Sequence, residues 1–388
     1  MLLPLEYCAL STKNYQVSDQ RKSCGRPNIL ALSFAFRTLA AAVNCVGKSN
    51  LALSLVIILG CSMACVYCGP IAELKSFSDA DLTPPVLVKV CSLSPTEIEL
   101  TFDEQCTAMV EGLKIQPELE ISGVNTREQT IILTVSLQTP GSEYTLEAVV
   151  EDAGGNSLSF ISRIYGYNPS IPELLINEFI TRGTGNHPDV VELRILSPGN
   201  MGGVTLYQGT PDNWRDRLIF PPFAVAEDNF IIIHFRPEGL PEEINETEAM
   251  DLSGGLDASD DAFDFWIAAG SGISGNNGVI SLYEQPGGRI IDGVLYSDRT
   301  SESDTAYRGF GTLDALERAD ELAADHGWII SFDLARPEDA VSPEGSTGTR
   351  SICRSSLSTD TDTLADWHIV PTRGATFGYP NSDEIYTP

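Results

Sequence analysis

Three cysteines near the start of the chain have a spacing that could support chemistry. Cys61, Cys65 and Cys68 are separated by three and two residues, and Tyr67 precedes the last of them. Three thiolates on one short loop can hold a 4Fe–4S cluster and leave its fourth iron open for a further ligand. Cys61 also follows an apolar run, where its thiol could instead carry a lipid. These uses exclude each other, so the surrounding elements must decide between them.

The cysteine spacing supports a first hypothesis, an iron–sulfur enzyme. The pattern Cys61-x3-Cys65-x2-Cys68 resembles that of the radical S-adenosylmethionine enzymes, in which the motif follows an apolar first strand. The resemblance implies a partial α/β barrel of about 200 residues downstream, with helices between the strands. The sequence after Cys68 instead predicts short alternating strands, many turns and one helix. A radical SAM-type iron–sulfur enzyme therefore stands as an alternative.

The apolar run before Cys61 supports a second hypothesis, export and lipidation. Leu51 to Leu59 is a nine-residue, largely apolar run preceded by Lys48. This length suits the core of a signal peptide and is too short to cross a bilayer. The segment Ile58-Leu59-Gly60-Cys61 resembles the relaxed lipobox of spirochaete lipoproteins, with Leu59 where a small residue is more usual. The resemblance implies cleavage before Cys61 and a diacylglycerol on its thiol.

The export hypothesis also assigns the N-terminal segments. The 47 residues ahead of Lys48 exceed the length of an ordinary basic leader region. We therefore predict that residues 1–60 are a leader and signal peptide, with the true start downstream of Met1. Residues 61–83 are predicted to be a lipidated linker, and Cys65 is a second, weaker candidate for the lipid.

The charge distribution agrees with export. Residues 1–60 contain six Lys or Arg and two Asp or Glu, whereas the remainder contains 18 basic and 52 acidic residues. A body this acidic repels phosphate backbones, so we expect no nucleic-acid partner. Cys91 and Cys106 flank one strand–turn unit and could pair in an oxidising periplasm or remain buried thiols.

Residues 84–167 have the pattern of a small β-domain. Glu97 to Phe102 alternates polar and apolar residues, and Gln129 to Val135 is rich in β-branched residues, as expected of strands. A third strand, Tyr144-Thr145-Leu146, precedes a turn at Asp152-Ala153-Gly154-Gly155-Asn156. Pro85, the strand Ile98-x-Leu100-x-Phe102-Asp103-Glu104, the Tyr144 strand and this turn resemble the bacterial Ig-like domains of surface-layer and adhesion proteins. The resemblance implies a β-sandwich.

Residues 174–383 carry a second set of strand motifs. They contain an Ile-Asn-Glu strand within Leu174 to Ile180 and a Val-Glu-Leu strand within Asp189 to Ile195. An Ile-Asp strand follows Gly287-Gly288, and Asp366-Trp367 precedes a Pro-Thr-Arg-Gly-Ala segment at 371–375. This order resembles the lamin-tail domain, which implies a second Ig-like sandwich.

The second domain is longer than a typical lamin-tail domain, so we place an insertion around residues 300–345. Within it, apolar residues at Leu313, Leu316, Ala319 and Leu322 have the spacing of one amphipathic helix. Thr312 is a suitable N-cap for this helix. The predicted fold class is therefore all-β, with two Ig-like sandwiches in tandem after the leader and one inserted helix in the second.

The remaining polar residues offer little catalytic chemistry. The four histidines lie far apart in sequence, and no nucleophile elbow or phosphate loop is present. His187 lies on a polar loop, whereas His234 falls within an apolar strand and is expected in the core. The acids from Asp257 to Asp264 are expected to be a solvated loop. Glu178 and Glu192 should face each other on adjacent strands, where they share a cation or accept buried hydrogen bonds.

These observations predict a non-catalytic lipoprotein of the bacterial cell envelope. We expect no catalytic residue, metal or cofactor. Cys61 is the lipidation site that anchors the protein in the membrane, on the periplasmic or outer side. The two sandwiches are expected to form a binding, structural or adhesion module whose partner is an envelope protein or a glycan. A cation-dependent hydrolase accessory or phosphoesterase is the second alternative, beside the radical enzyme.

Overall fold

A computed structural model of the protein describes residues 81–388. The leader, the three clustered cysteines and most of the predicted linker lie outside these residues, so the lipidation of Cys61 stays a prediction. The described part is dominated by strands packed as two β-sandwiches with one α-helix. The predicted all-β class is therefore confirmed. The alternative of a helix-wrapped α/β barrel behind Cys68 is not what residues 81–388 form.

The first sandwich consists of two sheets. One sheet has the strand order β1-β2-β6-β5, and in the other β7 pairs with β3, β4 and β8. Its strands are β1 Leu87–Ser94, β2 Glu97–Phe102, β3 Cys106–Ala108, β4 Lys114–Gln116, β5 Ile121–Arg127, β6 Thr130–Val135, β7 Glu143–Asp152 and β8 Ser157–Tyr165, with a 3-10 turn at Val110–Gly112.

The alternation seen in the sequence builds the core of this sandwich. In β2, the apolar residues Ile98, Leu100 and Phe102 are buried while the residues between them are not. They join residues of β6 and β7 in one apolar cluster between the two sheets. Because side chains of a strand alternate between its faces, every second residue enters this core.

The disulfide alternative for Cys91 and Cys106 is not realised. Cys91 lies on β1 and Cys106 on β3, which belong to different sheets. Cys106 is a buried thiol without a disulfide. Burial, followed by the nearby charges of Glu104, Asp103 and Asp152, raises the pKa of this thiol to about 11. It therefore behaves as a small apolar core residue.

The second sandwich is larger. A six-stranded sheet, β16-β15-β10-β9-β19-β20, faces a four-stranded sheet, β13-β12-β17-β18, and β11 pairs with β14. Its strands are β9 Leu174–Ile180, β10 Val190–Ile195, β11 Gly199–Asn200, β12 Thr205–Gly209, β13 Trp214–Ile219, β14 Ala224–Val225, β15 Phe230–His234, β16 Phe263–Trp266, β17 Asn277–Tyr283, β18 Ile290–Ser297, β19 Ile352–Cys353 and β20 His368–Ile369, with 3-10 turns at Pro337–Asp339 and Leu364–Asp366.

The central strands of the six-stranded sheet are buried on both faces. Every residue of β9 and β15 is buried. One face, with Ile176, Val191 and Ile231, packs against the four-stranded sheet in the main core. The outer face carries a smaller apolar cluster that includes Val190 and Ile232, against which Phe377 packs. The outer face is therefore covered by the C-terminal segment, which brings the polar residues described below together.

The predicted inserted helix is confirmed as α1, Leu313–Ala324. It packs its buried residues Ala319 and Leu322 toward β17 and β18. Gly293 of β18 lies directly beneath it, since a Cβ atom there would come within 2.5 Å of Leu322 Cδ1. None of the helices in the described range is long and apolar enough to span a membrane.

The N-cap of α1 gives a first prediction. The Thr312 hydroxyl accepts a hydrogen bond from the backbone N–H of Ala315 at 3.2 Å. Thr312→Ala removes this acceptor and should lower the free energy of unfolding by about 1 kcal/mol, whereas Thr312→Ser should retain most of it. Urea unfolding followed by tryptophan fluorescence measures the difference. Equal midpoints for the Ala and Ser variants would show that the cap contributes nothing.

Candidate functional site

Glu178 and Glu192 lie directly opposite each other in the β9–β10 ladder, as the sequence predicted. Both side chains are fully buried. Glu178 accepts hydrogen bonds from the Thr376 backbone N–H at 3.0 Å, the Thr376 hydroxyl at 2.8 Å and the Ser351 hydroxyl. Glu192 accepts from the Gly378 N–H at 2.6 Å. Of the two predicted alternatives, the geometry gives buried hydrogen bonds.

Burial also sets the protonation of this carboxylate pair. Burial raises the pKa of Glu178, although the hydrogen bonds from Ser351 and Thr376 act to lower it. It raises the pKa of Glu192 well above its ordinary value, and the charge of Glu178 adds to this effect. Two adjacent carboxylates in a low-dielectric site resist double ionisation. The pair therefore favours a bound proton. Because the pair also accepts hydrogen bonds from Thr376 and Gly378, the attachment of that segment depends on pH.

Two asparagines add hydrogen bonds around this carboxylate pair. The Asn177 side-chain amide donates to Glu192 Oε1 at 2.8 Å. The Asn381 amide donates to the backbone oxygens of Asn177 and Arg354, at 3.0 Å each. Asn381 is buried although it lies near the end of the chain. We name residues Thr376 to Asn381 the closing segment, because these bonds dock it on the outer face of β9 and β10.

A fully buried arginine forms the second polar centre. Arg354 Nη2 contacts both carboxylate oxygens of Asp292, at 3.0 and 3.2 Å, and Nη1 contacts Asp360 at 2.8 Å. Its Nε donates to the Ile176 carbonyl at 2.8 Å, and the guanidinium lies 4.5 Å from the ring centre of Trp367. Burial raises the pKa of Asp292 to about 7 despite the opposing charge of Arg354. This centre ties β9, β18 and the C-terminal region together.

The acids at this centre could in principle hold a cation. Asp292, Asp360 and Asp362 offer carboxylate oxygens within 4.8 Å of one another. The guanidinium of Arg354, however, already compensates Asp292 and Asp360. A buried ion pair satisfied in this way is a structural element rather than an open ligand set.

The carboxylates of the acidic loop, Asp257 to Asp264, bond to different partners and do not converge on one calcium site. Asp257 Oδ1 contacts His187 Nδ1 at 2.9 Å. Asp261 accepts a hydrogen bond from the Tyr379 hydroxyl, and Asp264 contacts His234 at 2.7 Å. Within residues 81–388, none of the histidines joins a group of three potential metal ligands. The cation-dependent hydrolase alternative required such a group around His187 and is not supported.

His234 is a core residue, as its apolar strand predicts. The side chain is fully buried and stacks on the Trp266 ring at 3.8 Å between ring centres. Its hydrogen bond to Asp264 joins β15 to β16, which run parallel. The residue therefore stabilises the pairing of the edge strand β16 with β15.

Cys353 and His368 form a pair that the sequence did not indicate. Their Sγ and Nε2 atoms are 3.6 Å apart, because β19 and β20 are paired there. Such a pair can act as nucleophile and base when the thiol ionises. Here burial, followed by the charges of Glu178 and Glu192, raises the pKa of Cys353 strongly. The buried thiol stays protonated and is a packing residue.

An open cleft lies among the described residues, apart from these buried groups. Its volume is about 780 Å³, and its walls come from β1 and β8 of the first sandwich and from β13, the 285–288 turn and α1 of the second. Trp214, at its rim, is 42 % exposed, whereas the other three tryptophans are buried. A cleft of this size is within the range of small-molecule sites.

Solved structures with detectable similarity are distant from this chain. The N-terminal part of the bacterial S-layer protein SbsC has a TM-score of 0.23 at 16% identity, over 32% of this chain and 33% of that one. A DUF4876 family protein from Bacteroides thetaiotaomicron VPI-5482 has a TM-score of 0.26 at 11% identity, over 70% and 90%. Similarities this weak carry no conclusion about fold or function.

Sequence comparison gives a clearer relationship. A protein of Treponema pallidum (strain Nichols), described as an uncharacterized protein, is 24% identical over 241 residues. The match covers 61% of this chain and 61% of that protein, which is less than two thirds of the relative's length. The similarity supports a bacterial origin. Residues 172–369 match a family described as protein second domain, and because this match covers just over half of the chain, the protein belongs to the TP_1001_2nd family.

Proposed function

We propose that this protein is a non-catalytic lipoprotein of the bacterial cell envelope that acts as a binding or structural module. In this proposal the lipid on Cys61 anchors the chain in the membrane. An Ig-like sandwich holds a lamin-tail sandwich away from the bilayer. The proposal extends the family membership, which by itself assigns no activity.

One observation carries the non-catalytic part of the proposal. The residues with the greatest catalytic potential in the described chain are buried and bonded within the fold. Glu178 and Glu192 accept hydrogen bonds from the closing segment and from other buried residues. Arg354 is held by Asp292 and Asp360, and Cys353 is a protonated thiol. An active site needs reactive groups that a substrate can reach in a pocket. These groups instead do the work of joining distant parts of the second sandwich.

The sequence supports the envelope part of the proposal. The apolar run of Leu51 to Leu59 ends at Gly60-Cys61, and the chain beyond residue 60 is strongly acidic. A spirochaete relative agrees with the relaxed form of this lipobox. A single lipid modification gives weak membrane binding, whereas two acyl chains give stable anchoring.

Membrane partitioning of the full-length chain, expressed in a bacterium, tests the anchor. The wild-type protein should enter the detergent phase of a Triton X-114 separation, and Cys61→Ser should move it to the aqueous phase. Cys65→Ser is the matched control and should leave partitioning unchanged, since Cys65 does not follow the main apolar run. Intact mass should show an N-terminus at Cys61 with acyl chains attached. A wild-type protein of unmodified mass in the aqueous phase would refute the proposal.

A further inference from the structure

We propose that the cleft between the two sandwiches binds a short, neutral oligosaccharide. This inference rests on the proposed function, because it names the ligand class of a module proposed to bind. The walls of the cleft are β1 and β8 on one side and β13, the 285–288 turn and α1 on the other. Its lining is balanced in charge, and an aromatic ring is exposed at its rim.

The junction between the sandwiches holds the walls in place. The Asn168 side-chain amide donates to the backbone oxygens of Asn200 at 2.7 Å and of Gly202 at 2.8 Å. Gly141, with φ of +70°, lies so close to Gly203 that a Cβ atom would come within 2.0 Å of the Gly203 nitrogen. The two sandwiches therefore meet backbone to backbone at this junction, beside the cleft. The cleft is therefore a preformed site, which lowers the cost of ordering on binding.

The charged residues of the lining are equal in number. Three are basic and three acidic: Lys89, Arg163, Arg217, Asp212, Glu321 and Asp325. Several of these are bonded within the protein: the Tyr283 hydroxyl donates to Asp325 at 2.6 Å and the Thr210 hydroxyl to Glu321 at 2.6 Å. A strongly anionic or cationic ligand would gain little from such a lining. A neutral ligand with many hydroxyl groups suits it, because hydroxyls both donate and accept.

Three lining groups remain available for such a ligand. Among the described residues, the side chains of Lys89, Asp212 and Gln285 have no hydrogen-bond partner. They provide an ammonium donor, a carboxylate acceptor and an amide with both functions. A few placed polar groups in a partly apolar cleft are the usual arrangement of a small-molecule site.

Trp214 supplies the apolar surface that the face of a sugar ring needs. Its side chain is 42 % exposed, and the Arg217 guanidinium lies 4.8 Å from its ring centre, which holds the ring in position. Tyr207 and Tyr283, whose rings meet edge to face at 5.6 Å, are buried residues of the lining. Aromatic side chains combine a large apolar face with a polar edge and bind amphipathic ligands well.

An extended peptide fits these edges less well than a sugar. β1 and β8 lie close together, and the Ser92 hydroxyl donates to the Tyr165 carbonyl at 2.8 Å. The edge strand β13 carries Arg215, Asp216 and Arg217 in succession, and charged residues on an edge oppose strand addition. Strand addition by a peptide is therefore the competing outcome of the test.

The test is calorimetric titration of the full-length protein in detergent with cellotetraose, maltotetraose and chitotetraose, beside a tetragalacturonate and an extended peptide. At least one neutral tetrasaccharide should bind, and Trp214→Ala should weaken it by about tenfold or more. Phe332→Ala is the matched control, because Phe332 is also exposed and stacked by an arginine, Arg336, but lies outside the cleft. That variant should bind as the wild type does.

The outcomes separate this inference from the proposed function. Binding of a neutral tetrasaccharide that Trp214→Ala weakens and Phe332→Ala does not would support the cleft as a glycan site. Binding of only the peptide or the tetragalacturonate, equal binding by all variants, or no binding by any neutral sugar would overturn it. In those cases, Cys61-dependent partitioning into detergent would still uphold the proposed function. Thermal unfolding of the Trp214→Ala protein near the wild-type midpoint shows that any loss of binding is local.

Discussion

Replacing Arg354 with methionine is expected to lower the free energy of unfolding of the second sandwich by about 3–5 kcal/mol. Methionine keeps the apolar bulk against Trp367 but removes the cation that compensates Asp292 and Asp360. Asp292 is 1% exposed and its pKa is about 7 even beside Arg354, so without the cation it must stay charged out of contact with water or take up a proton. Leaving such a carboxylate unpaired is far more destabilising than losing an exposed ion pair.

Urea unfolding followed by tryptophan fluorescence measures this loss. All four tryptophans of the chain lie in the second sandwich, so their emission reports on that part. The control is Arg289→Met, which breaks an exposed pair with Glu284 and should cost less than about 1 kcal/mol. Adding Asp292→Asn to the Arg354→Met protein should recover part of the stability, because it removes the unpaired charge. Equal midpoints for the two arginine variants would refute the structural role of Arg354.

The free energy of unfolding should fall as the pH rises above about 4.5, and Glu192 should account for part of this slope. The ordinary pKa of Glu192 is 4.5, and burial and Glu178 raise it well above that value in the folded protein. Above pH 4.5 the folded state therefore holds a proton that the unfolded state has lost. Stability is greatest below this pH and declines up to the raised pKa, by at most about 1.4 kcal/mol per pH unit for one proton.

Comparing Glu192→Gln with the wild type isolates this contribution. Asp292 adds a slope of the same sign between its ordinary pKa of 3.8 and its raised value of about 7, and it is present in both proteins. Between pH 5 and 8, the Gln variant should therefore show a shallower decline than the wild type. Glu302→Gln, on an exposed side chain, is the control and should keep the wild-type slope. Identical slopes for all three proteins would refute a proton bound by the Glu178–Glu192 pair.

Several features of the fold could be predicted from local sequence alone. The alternation of β2 predicted its buried face, and the spacing from Leu313 to Leu322 with Thr312 before it predicted α1 and its cap. The opposition of Glu178 and Glu192 followed from the positions of two neighbouring strands. Each of these features depends on residues close together in the chain or on the pairing of two strands. The spacing of apolar residues is therefore enough to predict them.

Other features had no local signal. The burial of Arg354 depends on Asp292, which lies 62 residues away, and on β9, whose Ile176 carbonyl lies 178 residues away. From the sequence alone, an arginine in a serine-rich stretch is expected at the surface. The approach of Cys353 to His368 likewise needed the pairing of two short strands, β19 and β20. Neither strand is long enough to have a pattern of its own.

The sequence by itself determined the strand-rich class, the inserted helix and the face on which the two glutamates lie, because strand and helix periodicity are properties of neighbouring residues. Only the tertiary structure decided what the glutamates do. Their partners Thr376 and Gly378 lie 198 and 186 residues further along the chain. A buried carboxylate needs hydrogen-bond donors from wherever the fold supplies them, and two of these donors, the N–H groups of Thr376 and Gly378, are backbone groups, which every sequence carries alike. The closing segment therefore became visible only once the chain was folded.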